Sequence, residues 1–181
     1  MAYPSAARTW AAAEKITAAR LNDIRDHLTA LRQPPFVQAY DGAGVACANA
    51  TSTLITFDSE ANDNGATYDG ALHSTSSNTS RINLTTPGVW AISAYYALPS
   101  ATYTAQVLNL RMNAAGSSSG GTSLRSAPFD PLQAPRLLLV REYTSASDYV
   151  EMFVSQTSGA SRTTSTGNNV TGISAWLLSA T

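Results

Sequence analysis

The chain has 181 residues and a mass of 19.0 kDa, enough for one domain and a short appendage. Lysine plus arginine number 11 and aspartate plus glutamate 12, a formal net charge of -1 that excludes the basic footprint of a nucleic-acid binder. Charged residues are only 13% of the chain, about half the usual share, while hydrophobic residues reach 44%, too many for a chain disordered by composition.

Residues 1–15 read as a polar, alanine-rich arm carrying Tyr3, Pro4 and Trp10. A segment with two aromatic residues and little else cannot build its own core, so Tyr3 and Trp10 are predicted to anchor the arm on a partner or neighbouring subunit. The start lacks the cationic and apolar runs of a signal peptide, and no apolar run approaches the roughly 20 residues of a membrane span. Synthesis and folding in a cytoplasm, with no membrane partner, are the expectation.

The second unit, residues 16–33, reads as one helix over residues 17–32 with Thr17 as N-cap. Leu21, Ile24, Leu28 and Leu31 recur at spacings of three, four and three, the a/d seam of a heptad repeat. A helix spanning roughly 25 Å is marginal alone in water. It either lies on the chain's own domain or joins copies of itself, and leucine at a with isoleucine at d leans toward three or four strands. Gln33-Pro34-Pro35 ends it, because proline lacks a donor and disfavours helix in the preceding residue.

The third unit, residues 34–181, changes to period two. Strands are predicted over Phe36–Tyr40, Thr53–Phe57, Arg81–Leu84, Val89–Leu98, Ala105–Met112, Arg136–Tyr143, Tyr149–Gln156 and Thr171–Ser179. Asp63-Asn64-Gly65, Pro87-Gly88, Gly116 to Gly121 and Thr166 to Asn169 supply turns between them. Eight short strands without helices predict an all-β fold, an antiparallel sandwich, barrel or jelly roll. Three strands are apolar on both faces: Tyr95 opposes Trp90, Ile92 and Tyr96; Tyr149 and Phe153 oppose Val150, Met152 and Val154; Trp176 opposes Ile173, Ala175 and Leu177. Tyr95, Tyr149, Phe153 and Trp176 are therefore candidate subunit-interface residues, the alternative being a two-layer sandwich with scattered exposed aromatics.

The order Ile55-Thr-Phe-Asp58, Tyr68-Asp69, His73, Ser80-Arg81-Ile82, Pro87-Gly88-Val89-Trp90 and Ile92-Ser93-Ala94 resembles the trimeric jelly roll shared by tumour necrosis factor and the complement globular head. Ser147-Asp148-Tyr149-Val150-Glu151 looks like that family's Gly-Asp-Tyr-Val-Glu strand start, with Ser147 in place of glycine. Gly172 to Leu177 is similar to its final strand, without the family's aromatic-Gly-Gly signature. The resemblance covers residues 36–181 and implies a homotrimeric jelly roll preceded by an arm and one short helix. Trp10, Glu14, Ile16-Thr17-Ala18, Leu21-Asn22 and Arg25-Asp26-His27-Leu28 look like the opening of many tailed-phage virion proteins, with Ala13 where glycine is common. That resemblance implies a homotrimer at the virion surface. Its arm would dock on the major capsid protein or another virion protein, and its head would project as a decoration or head fibre.

A catalytic reading finds no constellation. His27 sits on the helix flank and His73 in a Ser/Thr/Asn loop, and no nucleophile elbow, zinc-helix or phosphate-loop motif occurs. Neither an enzyme nor a cofactor is expected. Cys47 is the one cysteine and reads as a free thiol, its alternative a reactive nucleophile. Glu60 to Gly65 echoes half a calcium loop, but Ala71 stands at position twelve, so a turn is the better reading. The four Asn-x-Ser/Thr sequons, at Asn49, Asn78, Asn83 and Asn169, read as accidents of Ser/Thr abundance. The polar loops Gly116 to Gly121 and Ser158 to Asn169 are candidate contacts for a host surface glycan or are inert. Two other functions use the same parts: a minor tail or receptor-binding tip adhering to the host, and a free trimeric lectin-like ligand.

Overall fold

The structure is a computed structural model that describes residues 15–65, 70–129, 136–143, 145–167 and 170–180. The anchoring candidates Tyr3 and Trp10 lie outside the described residues, as do Tyr68 and Asp69.

One helix opens the described chain, α1 (Ala18–Arg32). The Thr17 hydroxyl accepts from the Arg20 N–H, and the Gln33 N–H donates to the Thr29 carbonyl before the two prolines stop the helix. Strands follow: β1 (Phe36–Tyr40), β2 (Ala46–Cys47), β3 (Thr53–Leu54), β4 (Ser59–Asp63), β5 (Arg81–Asn83), β6 (Gly88–Tyr95), β7 (Gln106–Met112), β8 (Thr122–Phe129), β9 (Arg136–Tyr143), β10 (Tyr149–Gln156), β11 (Arg162–Thr163) and β12 (Gly172–Ala180). They form two facing antiparallel sheets, β4-β1-β12-β6-β9 and β3-β10-β7-β8 with β5 beside β10, plus the small pair β11-β2. This is an all-β jelly-roll sandwich.

The core lies between the sheets. Val37, Ala39, Trp90, Ile92, Ala94, Ile173, Ala175 and Leu177 enter from the first sheet, and Leu108, Leu110, Val150, Met152 and Val154 from the second. Alternation in β1, β6, β10 and β12 specifies this register, because a one-residue slip would turn every core side chain outward. The Pro87-Gly88 corner opens β6. Gly88 has φ +152°, and a Cβ there would come within 2.1 Å of the Ser179 carbonyl oxygen, so only glycine lets β6 lie against the end of β12. Trp90 then donates its indole N–H to the Thr86 carbonyl at 2.9 Å while its ring is fully buried.

Strands β2, β4, β8 and β11 exceed the eight that the periodicity predicts. β4 has the sequence SEAND, which reads as turn, yet it pairs with β1 through Val37–Asp63 and Tyr40–Ser59. β8 carries Pro128 opposite Val107 and, among the described residues, has strand β7 alone beside it in the sheet, an edge position of the kind to which proline is confined. Both are edge strands, where the hydrophobic alternation used to recognise strands gives out.

Candidate functional site: the open sheet face and the helix seam

Residues paired across a sheet share a face, so the register gives the outer face of the first sheet directly. Phe36, Trp176, Ala91 and Val140 form one row across β1, β12, β6 and β9, and Gln38, Ser174, Ser93 and Leu138 form the next. Leu178 projects at the bulge between Leu177 and Ser179. Leu138 is 58% exposed, Val140 56% and Leu178 51%, with Trp176 and Phe36 half-buried beside them. A wet sheet face normally carries polar side chains, and this one carries a contiguous apolar stripe.

The helix lies at the same end. The Leu177 N–H donates to Pro35, and Asn64 clamps the connection, its Oδ1 accepting from the Phe36 N–H at 2.5 Å and its Nδ2 donating to Pro34 at 3.0 Å. Gln33, Pro34, Phe36, Asn62, Asn64 and Trp176 line an open groove at this junction. On the helix, Leu21, Ile24 and Leu28 are 55%, 41% and 54% exposed, so the first three seam positions are not packed on the chain's own domain. The side chain of Leu31 lies outside the described residues. Among the described residues, every exposed large hydrophobic side chain belongs either to Ile16 and the α1 seam or to this sheet face.

The four candidate interface aromatics do not come together. Trp176 lies on the open face. Tyr95 points outward too, but its ring lies across Gly172, where a Cβ would meet its hydroxyl at 3.0 Å, and the Arg136 guanidinium sits 5.5 Å from its centroid. Tyr95 is thus covered largely by its own chain. Tyr149 and Phe153 belong to the outer face of the other sheet; Tyr149 is half-buried there, and for Phe153 the expectation of a second subunit is corrected. The turn from Asn113 to Gly121 folds back over that face. The Gly116 N–H donates to Glu151 Oε2 at 3.1 Å, the Ala115 N–H to the Tyr149 hydroxyl at 3.1 Å, and the Arg111 Nε–H to the Gly120 carbonyl at 2.7 Å. Leu54 flanks Phe153 in register, and Phe153 is 1% exposed, with no surface to offer a partner. Buried Glu151 holds this arrangement, accepting also from the Ser80 hydroxyl at 3.0 Å and from Arg81 Nε at 3.4 Å. The Arg81 guanidinium stacks 4.2 Å from the Tyr149 ring centroid. The Asp-Tyr-Val-Glu strand start therefore ties down a hairpin tip.

The remaining candidates are structural. His73 is buried, not loop-exposed: its Nδ1 lies 2.7 Å from Glu60 Oε1, its Nε2 donates to the Thr79 carbonyl at 3.1 Å, and its N–H donates to Asp63 Oδ2 at 2.9 Å. Glu60 and Asp63, which echo a calcium loop in sequence, fasten β4 to the segment leading into β5. Buried Asp41 accepts from the N–H groups of Gly44 and Val45 at 2.6 and 3.2 Å and from the Thr164 hydroxyl. Burial and the nearby Asp41 carboxylate push the Cys47 thiol up to about 11, so it stays protonated near neutrality and is no nucleophile. The side chain of His27 lies outside the described residues. Among the described residues, no group of three metal-ligating side chains converges. The two polar loops sit at opposite ends of the sandwich. Gly116 to Gly121 lies at the helix end, and the described part of Ser158 to Asn169 lies at the far end, where the Gly167 N–H reaches Asp41 and the Ser165 N–H reaches Ala97.

No protein-family model matches the chain, and no curated protein matches it. Among solved structures, the chain is similar to murine APRIL in its crystal structure at pH 5.0, with a TM-score of 0.58 at 7% identity over 81% of this chain and 100% of that one. Murine APRIL at pH 8.0 gives a TM-score of 0.56 at 7% identity with the same coverage. Eiger TNF from S. frugiperda is more distant, with a TM-score of 0.47 at 15% identity over 81% of this chain and 95% of that one. The likeness to murine APRIL is one of fold, a jelly-roll sandwich.

Proposed function

We propose that the protein is a homotrimeric structural protein of a phage virion, a capsid-decoration or head-fibre protein whose arm, residues 1–15, docks on the capsid while the jelly roll projects. One observation carries the self-association: apart from Ile16 just before the helix, the exposed large apolar residues among those described are confined to the α1 seam and the adjoining sheet face. Asn64 ties the two together, so one set of neighbouring copies can cover both. Leucine at a with isoleucine at d of the seam leans toward three or four copies over two, and the jelly roll is compatible with self-association. The virion assignment rests on the resemblance of Trp10, Glu14, Ile16-Thr17-Ala18 and Leu21-Asn22 to phage virion openings. The buried ionisable groups described above are spent on holding loops and edges, so the reading asks for binding and no reaction.

Sedimentation of the purified protein tests the trimer, and the copy number on purified particles and on tailless heads tests the location. A trimer in solution, present in high copy on tailless heads and detached when residues 1–15 are deleted, is the expected result. A monomer removes the assembly. Confinement to tails moves the protein to the tail-tip reading, and attachment without the arm overturns the anchoring.

A further inference from the structure

Among the described residues, the two main sheets have four edges, and three of them are blunted. β3 and β5, which share one edge of the second sheet, are two and three residues long. β8 carries Pro128, and its register against β7 shifts between Leu110 and Arg111. β4 carries Glu60 and Asp63, both bonded within the chain to His73, and its register against β1 shifts between Gln38 and Ala39. The fourth edge, β9, has none of these devices. Its eight residues pair with β6 from Gly88–Tyr143 to Tyr95–Arg136 without a shift, and they include no proline or glycine. Leu137, Leu138, Leu139 and Val140 follow one another in its middle. Among the described residues, β9 has strand β6 alone beside it in the sheet, so its alternate backbone N–H and C=O groups face away from the sheet. A long, regular, apolar edge is a template for another strand.

The outer side chains of β9 are self-complementary. Arg136, Leu138, Val140 and Glu142 share the open face, because Val140 stands in the row of Trp176 and Ala91, and all four are exposed. In chain order the series is cation, apolar, apolar, anion; in reverse it is anion, apolar, apolar, cation. Antiparallel pairing of two such strands about Leu139 sets Arg136 opposite Glu142 twice and Leu138 opposite Val140 twice. Unlike charges and apolar side chains directly across a strand pair both stabilise a sheet. A register two residues away sets Arg136 opposite Val140, or Glu142 opposite Leu138, and loses both ion pairs. A register one residue away sets the outer side of one strand against the inner side of the other. Charge on an edge deters pairing where like meets like, whereas the outer charges of β9 meet as unlike pairs. Among the described residues, Glu142 makes no ion pair within the chain. Arg141, on the inner side, falls opposite Leu137 of the second strand.

We infer that two copies join edge to edge through β9, antiparallel about a two-fold axis at Leu139, so that their first sheets become one continuous sheet. The occupant of the free edge is a second copy of this chain: the series that a partner strand must present is the one β9 itself presents in reverse. The contact is isologous, with the same surface used on both sides. The second copy lies beside the open sheet face, not over it, and does not touch the α1 seam. The contact therefore does not rest on the trimer proposed above, and it leaves the seam and the face to the copies that form one.

The test uses full-length variants and analytical ultracentrifugation at low salt. The parent should sediment as an even number of copies. Arg136→Glu sets Glu opposite Glu142, and Glu142→Arg sets Arg opposite Arg136; each alone should weaken the two-fold association by about tenfold. The two variants mixed should associate with each other, and Arg136→Glu with Glu142→Arg in one chain should restore the association of the parent, because both arrangements bring unlike charges together again. Arg136 also lies 5.5 Å from the Tyr95 ring centroid, so the melting of each variant is measured as well. If Arg136→Glu melts lower than the parent, Glu142→Arg and the double reversal carry the test. A parent found only as a monomer or a trimer overturns the β9 contact, and a trimer leaves the proposed function standing. A single reversal without effect, or a double reversal that fails to restore association in a variant as stable as the parent, overturns the contact too.

Discussion

Gly88 and Glu151 show how single residues set this fold. At Gly88 both the backbone conformation and the 2.1 Å approach to Ser179 forbid a side chain. Gly88→Ala should lower stability by about 2–3 kcal/mol, the range for a strained backbone position, measured by urea denaturation. At Glu151 a buried carboxylate gathers donors from Ser80, Arg81 and Gly116. Glu151→Gln removes the charge from those bonds and should cost about 1.5–3 kcal/mol. Faster hydrogen exchange at the Gly116 amide would show that the hairpin tip has been released, and an unchanged rate would show that Glu151 does not hold it. Burial also raises four acids: Cys47 from 9.0 to about 11, Tyr143 from 10.0 to about 12 despite Arg141 nearby, Tyr96, whose neighbour Cys47 adds to the effect, and Tyr103. A raised folded-state pKa favours the protonated form in the native protein, so the unfolded chain ionises first as pH rises. These groups contribute stability that is fully present below pH 9 and is lost progressively between about 9 and 12. Denaturation midpoints should be level up to pH 9 with respect to these groups, and Cys47→Ala should remove the first part of the alkaline fall.

At the scale of elements, α1 is the part whose sequence is most regular and whose surroundings are least complete. Its cap and its proline stop are satisfied within the chain, yet Leu21, Ile24 and Leu28 stand open. A helix of 15 residues is marginal without partners. Changing Leu21, Ile24 and Leu28 together to serine should weaken self-association while leaving the melting of the jelly roll nearly unchanged, because the seam contributes nothing to the core between the sheets. Light scattering checks the first half and calorimetry the second; a fully trimeric variant would place all the association energy in the sheet face. The strands make the opposite point. β6, β10 and β12 bury one face in the common core, and their second faces meet different fates. The turn at Asn113–Gly121 covers that of β10, and those of β6 and β12 remain on the open side.

At the scale of the molecule, the low charge first evident in composition turns out to be ordered. The core needs no charge, the buried acids Asp41 and Glu151 are consumed by loop bonds, and exposed charge stands both on α1, at Arg25 and Arg32, and on the strands, at Arg136 and Arg141.

The sequence by itself determined the fold class and the bounds of α1, because these follow from local rules. Thr17 and Pro34-Pro35 bracket a heptad pattern, and alternation in segments such as Phe36–Tyr40 and Tyr149–Gln156 can be satisfied only by strands that share a core. It could not reveal β4 or β8, since edge strands are held by backbone pairing that polar residues make as well as apolar ones. Nor could it distinguish Phe153 from Trp176, two aromatics on the second faces of strands. That depended on what stands beside each in the fold, Leu54 of β3 next to Phe153 and an open groove next to Trp176, and burial by one's own chain or exposure to another is a property of position in space, not of the residue. His73, Glu60 and Asp63 look like loose loop residues for the same reason: their bonds span 10 or 13 positions and form only once β4 is laid against β1. Periodicity reports which side of a strand is apolar, and only the tertiary structure decides what covers it.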